Sequence, residues 1–134
     1  MTTILKIEGI GPVNAEALAK VGVKSVEKLL ELGATPAGRK ALAEKSGLSA
    51  KLLLEWVNHA DLYRIKGVGE EYSDLLEEAG VDTVVELAKR VPENLLEKIA
   101  SINLDKKLVR QLPTLKMVAD WVAQAKKLPR IIEY

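Results

Sequence analysis

Two short glycine-containing segments hold the residues best suited to ligand chemistry in this sequence. They are Gly9-Ile10-Gly11 and Gly67-Val68-Gly69, which we call the first and second glycine turns. Paired glycines permit a sharp backbone reversal, while the apolar residue between them points into a core. Each turn leads into a segment with helical periodicity, so its peptide N–H groups lie where a helix dipole favours an anion. The pattern predicts anion binding by backbone amides.

The residues after each turn differ in charge. Pro12-Val13-Asn14 follow the first turn and Glu70-Glu71-Tyr72 follow the second. Carboxylates suit the positive end of a helix dipole, but they would repel a phosphate on the same amides. We therefore predict a purely structural role for the second turn, whereas the first fits either a phosphate contact or a plain turn. We also expect Gly11 and Gly69 to hold backbone geometry that a side chain would disturb.

The charge distribution offers two kinds of surface. The net charge is only +1, but residues 65–97 carry nine acidic and three basic residues, a local net of −6, and residues 98–134 carry eight basic and three acidic residues, a local net of +5. The second half thus contains an acidic block at 70–86 and a basic block at 98–130. Either block could bind a partner or simply face solvent.

No catalytic or metal-binding constellation is evident. The chain has no cysteine, and its single histidine, His59, has only Glu55 one helical turn away as a potential co-ligand. We expect His59 to be a partly exposed helix residue. The sequence also lacks a Gly-Lys-Ser/Thr phosphate loop. These observations predict a protein that is not an enzyme, with no metal and no cofactor.

An internal repeat organises the chain. Ile7 to Leu30 matches Ile65 to Ala88 at an offset of 58, with three glycine pairs in register. Leu48 to Leu52 answers Leu104 to Leu108, and Trp56 answers Trp121, so both tryptophans are predicted to be core residues. We infer two units, 1–64 and 65–134, in one compact domain. The second unit has an insertion near 110–119 and a short C-terminal tail.

Helix start and stop signals divide both units. Pro12 opens a helix ending near Gly22, Ser25 caps the next, Thr35-Pro36 opens a third and Ser49 caps a fourth. In the second unit Thr83 caps one helix, Pro92 starts another, and a last helix runs from about Thr114 to Leu128. Asn103 or Asp105 is predicted to start an additional helix carrying Lys106, Lys107 and Arg110, which Pro113 ends. No segment alternates with period two, so the fold class is all-α, a helical bundle without a sheet.

The glycine turns resemble those of the helix-hairpin-helix superfamily, whose hairpins contact nucleic-acid phosphates without reading bases. The first match reads Gly-Ile-Gly-Pro, then Leu and Gly, then Val-x-Ser-Val-x-x-Leu. The wider chain, with Gly38-Arg39-Lys40, its tryptophan helices and Leu128-Pro129-Arg130, resembles a small bacterial family catalogued as a domain of unknown function. The resemblance implies two tandem helix-hairpin-helix units.

Two functions follow as expectations. The first is sequence-independent binding of a nucleic-acid backbone, through a candidate site made of Gly9, Ile10, Gly11, Asn14, Lys20, Lys24, Lys106 and Lys107. Arg39 and Lys40 are further basic candidates, and the alternative for every one of these cations is a solvated helix face. The second function is a protein–protein interaction module or scaffold without nucleic-acid binding. The longest apolar runs, such as Leu52-Leu53-Leu54, are too short to cross a bilayer, and no signal peptide is apparent. We therefore expect no membrane partner and a cytoplasmic location.

Overall fold

The computed structural model describes residues 2–7 and 9–134, and within them the regular elements are helices joined by turns and loops. The elements, in chain order, are a 3₁₀ turn at Ile4–Lys6 and helices α1 (Gly11–Lys20), α2 (Val26–Gly33), α3 (Pro36–Ser46), α4 (Ala50–Leu62), α5 (Glu70–Glu78), α6 (Val84–Ala88), α7 (Pro92–Lys106) and α8 (Leu115–Lys127). The described residues form no strand, only an isolated antiparallel bridge between Thr3 and Ser25. The all-α prediction is confirmed.

Local side-chain caps explain where several helices begin. The hydroxyl of Ser25 accepts a hydrogen bond from the Lys28 amide at 3.1 Å, and that of Thr35 accepts one from the Gly38 amide at 3.0 Å. Ser49, Thr83 and Thr114 cap α4, α6 and α8 in the same way. Each of these starts was predicted, because the capping hydroxyl and the amide N–H that donates to it are only three residues apart.

Contacts divide the chain into two compact units. The first contains the residues up to Asp61 together with Ile131–Tyr134, and the second is Leu62–Arg130. The predicted boundary lay after residue 64, and the predicted second unit included residues 131–134. In the first unit α3 packs against both α1 and α2, and in the second α8 packs against α6 and α7. The core of the second unit is aliphatic around Trp121, with Leu75, Leu76, Val84, Leu87, Ile99 and Val118 fully or almost fully buried.

The prediction that a helix starts at Asn103 or Asp105 is wrong, because both residues lie inside α7. Lys107 ends that helix in the left-handed conformation with φ of 50°, and its N–H donates to the Asn103 carbonyl at 2.8 Å. The Asn103 side chain then accepts from the Val109 amide at 3.0 Å and donates to the Val109 carbonyl at 3.1 Å. This clamp holds residues 107–114 as a loop. The correspondence of 48–52 with 104–108 is therefore not structural, because the first stretch enters α4 and the second leaves α7.

No helix in the described ranges is both long enough and apolar enough to cross a membrane.

Candidate anion-binding turns

The first glycine turn is an exposed backbone loop fixed by a buried plug. Gly9 and Gly11 are exposed and have φ of +89° and +62°, in the left-handed region that glycine adopts most easily. Ile10 between them is 1% exposed, and its N–H donates to the Ile7 carbonyl at 3.3 Å. The reversal and the inward apolar residue agree with the sequence-based expectation for this turn.

Helix α1 starts at Gly11 without a side-chain cap from any described residue. The first N–H groups of a helix have no intrahelical acceptor, so they need a side chain, water or a ligand. Pro12 has no N–H, which leaves those of Gly11 and Val13 as first-turn donors. Val13 is 81% exposed and Asn14 is half-buried, so the end of α1 is open to an external acceptor. A phosphate oxygen matches both the donors and the dipole.

The second glycine turn departs from expectation at Gly69. That residue has φ of −116° and ψ of −155°, an extended conformation that any residue adopts, and nothing lies within 4 Å of the point where a Cβ would stand. The expectation that Gly69 holds special geometry is wrong. The constrained residue is Gly67, whose φ is +98°. Val68, the equivalent of Ile10, is 5% exposed.

Two further features set the second turn apart. Gln124 on α8 holds the backbone of Lys66, because its Oε1 accepts from the Lys66 N–H at 2.8 Å and its Nε2 donates to the Lys66 carbonyl at 3.0 Å. The exposed Glu70 and Glu71 occupy the first turn of α5. Any anion approaching these amides meets two carboxylates. The Gln124 clamp was missed in the sequence, since an amide side chain 58 positions away leaves no local signal.

A tryptophan indole lies close to the first glycine of each glycine turn. The point that a Cβ on Gly9 would occupy is 3.7 Å from Nε1 of Trp56, and the corresponding point on Gly67 is 3.0 Å from Nε1 of Trp121. Trp56 and Trp121 are 3% and 2% exposed, which confirms their predicted core positions. The ring of Tyr72 packs on Trp121 with centroids 5.2 Å apart. The sequence predicted the burial of both rings, but not that they support the turns.

The predicted lysines of the first unit, Lys20 and Lys24, are both outside the first glycine turn. Lys20 is the last residue of α1, and nine helical steps place it about 14 Å along the axis from Gly11. It is exposed and forms a 3.7 Å ion pair with Glu16. Lys24 is exposed in the turn before α2. Lys20 therefore cannot touch a phosphate held at Gly11, although it is within reach of a more distant phosphate on the same polymer.

A surface groove of about 280 Å³ runs between α1 and α3. Its walls are Val13, Glu16, Ala17, Lys20, Lys45 and Ser46. It therefore links the open end of α1, through Val13, to the ammonium groups of Lys20 and Lys45. Lys45 was not among the predicted site residues, because only the packing of α3 on α1 brings it beside Lys20.

Other predicted cations are engaged in structural contacts. The Lys106 ammonium donates a hydrogen bond to the Glu78 carboxylate, which raises the pKa of Lys106. Lys107 forms the left-handed end of α7, and Arg110 lies in the loop, so these three do not share a helix as predicted. Arg39 is 6% exposed and donates to the carbonyls of Gly33, Ala34 and Glu133, whereas its neighbour Lys40 is exposed.

No metal centre forms within residues 2–7 and 9–134, where no three His, Cys, Asp or Glu side chains are grouped to hold an ion. His59 is 5% exposed, so the expectation of a partly exposed histidine is wrong. Glu55, one turn earlier on α4, is exposed and so does not share its surroundings.

Comparison with known protein families assigns this chain to one of them. A family model described as a domain of unknown function, DUF4332, matches residues 8–128, and the chain belongs to that family. Searches of curated proteins and of solved structures gave no match.

Proposed function

We propose that this protein is a non-catalytic binding protein of two helix-hairpin-helix units, in which the first glycine turn contacts the phosphate backbone of a nucleic acid. The observation that carries the proposal is the exposed Gly9–Gly11 turn, which runs into a helix that no described side chain caps. Such an end offers oriented N–H donors and a positive dipole, which suit a phosphate and read no base. A cytoplasmic location is part of the same proposal.

The groove along α1 adds positive charges that would attract further phosphates of the same backbone. Lys20 and Lys45 border it, so a backbone that leaves the amides at Gly11 and follows α1 would meet both ammonium groups. Glu16 lies in the same groove and pairs with Lys20, which reduces the attraction. We therefore expect few phosphate contacts and a dissociation constant on the order of micromolar or weaker at physiological salt. Lys24, Lys106 and Lys107 have no assigned contact in the groove.

Exchange of one residue between the turns tests the role of the first turn. Val13 and Glu71 occupy the same position after their turns, at the offset of 58, and both are exposed. Val13→Glu places a carboxylate beside the first-turn amides, where it suits the helix dipole but repels phosphate. We expect this variant to fold and to bind duplex DNA at least about tenfold more weakly, with Glu71→Val as the matched control that leaves binding equal or stronger. Equal binding by Val13→Glu and wild type would remove the first turn from the interface.

A protein-interaction module is the second candidate, and exposed apolar side chains near the first turn favour it. Val13 is 81% exposed and Leu5 is 52% exposed. Apolar side chains of this kind suit the centre of a protein interface better than a phosphate contact. The same variants separate the two functions. A protein partner whose binding is lost in Val13→Glu, with no DNA binding by wild type at low salt, would support this second candidate.

A further inference from the structure

A short extended segment, Ile131–Tyr134, is seated on the first unit. The Glu133 N–H donates to the Ala34 carbonyl at 2.7 Å, and Nη2 of Arg39 donates to the Glu133 carbonyl at 2.7 Å. Ile132 is 2% exposed, and the Tyr134 hydroxyl donates to Oδ1 of Asn58 at 3.4 Å. The Glu133 backbone thus both donates and accepts a hydrogen bond, Ile132 is buried beside it, and the Tyr134 hydroxyl makes a further contact.

Arg39 makes the receiving surface specific. Its guanidinium also donates to the Gly33 carbonyl at 2.9 Å and to the Ala34 carbonyl at 3.2 Å, so its partners within the described residues are three backbone oxygens. Two of these, at Gly33 and Ala34, lie at the C-terminal end of α2 and orient the third N–H toward Glu133. Without the segment, a donor of a buried cation would lose its acceptor. The surface therefore selects an extended peptide that presents a carbonyl and an N–H at one residue.

The segment reaches this surface from residues that belong to the second unit. Glu133 and Arg39 are 94 positions apart, and the connecting Pro129 and Arg130 are exposed. Every copy of the chain carries both the segment and its receiving surface, so the same contacts can form between two copies. We propose that the surface at Ala34 and Arg39 is a peptide-docking site through which two copies of this chain exchange their Ile131–Tyr134 segments. The proposal is independent of nucleic-acid binding.

A labelled peptide of residues 128–134 tests the docking site by fluorescence anisotropy on the full chain. Wild type should bind it weakly, because the tethered segment competes at an effective concentration on the order of millimolar. Ile132→Asp loosens the tethered segment, so this variant should bind the peptide at least about tenfold more tightly than wild type. Adding Arg39→Met should abolish the gain, and so should a peptide N-methylated at residue 133, which lacks only the N–H. Pro129→Ala in the peptide, at an exposed residue outside the docked segment, is the matched control and should change little.

Circular dichroism checks that the Ile132→Asp variant is folded. If it is not, Glu133→Pro, which removes the Glu133 N–H donor, is used in its place. A folded variant that binds the peptide no better than wild type would overturn the docking site. So would undiminished binding of the N-methylated peptide.

Shortening the connection tests exchange between copies. Deleting Pro129 and Arg130 hinders a segment from reaching its own first unit but not that of a second copy. Sedimentation velocity should show a concentration-dependent dimer, and Arg39→Met in the same background should return it to monomer. A monomer throughout, or a dimer that is insensitive to Arg39→Met, would contradict the exchange.

Discussion

The indole Nε1 of Trp121 lies 3.0 Å from the point that a Cβ on Gly67 would occupy. Gly67 is also at φ +98°, so a side chain there would be strained by the backbone and obstructed by the ring. Gly69, two residues later, has an extended backbone and open space around its Cα. Of the two glycines in this turn, only Gly67 is therefore constrained by its backbone conformation and its neighbour.

Alanine substitution should separate these two glycines. Gly67→Ala should lower the free energy of unfolding by about 1–3 kcal/mol, since it combines strain with a close contact. Gly69→Ala should change it by about 0.5 kcal/mol or less. Urea unfolding followed by circular dichroism measures both. Equal losses in the two variants would show that Trp121 does not restrict the turn.

Gly33 should resist substitution because of its neighbour on α4. A Cβ on Gly33 would overlap with Cγ2 of Val57, and both residues are buried. We expect Gly33→Ala to destabilise the protein by about 1–3 kcal/mol through overpacking. The double variant Gly33→Ala/Val57→Ala should be more stable than the sum of the single losses predicts, because Val57→Ala vacates the space. Strict additivity in a urea-unfolding cycle would contradict this contact.

Asp82 should make stability depend on pH in the acid range. Partial desolvation raises the pKa of Asp82 above its ordinary 3.8, and the charges of Glu86 and Glu77 add to this against the opposing effect of a backbone hydrogen bond. The folded state therefore binds more protons than the unfolded state as this carboxyl titrates. The contribution of Asp82 to the free energy of unfolding is fully present below pH 3.8 and is lost as the pH rises through the higher pKa of the folded state.

Asp82→Asn should remove this dependence. The variant should gain stability relative to wild type at neutral pH and show a smaller difference below pH 3.8. Thermal unfolding across this range provides the measurement. Asp105→Asn, at the exposed end of α7, controls for the loss of one negative charge. A pH profile of Asp82→Asn that parallels that of wild type would contradict the assignment.

Much of the fold was predictable because its signals are local. Ser25, Thr35 and Thr83 each cap an amide three residues later, and Pro92 starts α7 by its own ring geometry. Asn103 misled the prediction because asparagine serves equally as a helix start and as a clamp on a following loop. Its side chain pairs with the Val109 backbone, so it holds the loop after α7 and does not start a new helix.

The candidate site was less predictable because it depends on tertiary contacts. The exposed turn at Gly9 and Gly11 follows from glycine chemistry, and it was expected. The burial of Arg39 depends on Glu133, which lies 94 positions away, and Lys45 reaches Lys20 only through the packing of α3 on α1. Counting charges along the sequence reveals neither the Arg39–Glu133 contact nor the proximity of Lys45 to Lys20.

The most direct test of the proposed function is the salt dependence of duplex DNA binding by the intact protein. Each phosphate contact should contribute a slope of roughly −0.9 to the logarithm of the binding constant against the logarithm of salt concentration. We predict detectable binding at low salt, a slope that corresponds to a few contacts, and a shallower slope in Lys20→Glu/Lys45→Glu. Lys126→Glu/Lys127→Glu is the matched control on α8. Absence of binding at low salt, where the electrostatic attraction is strongest, would contradict nucleic-acid binding.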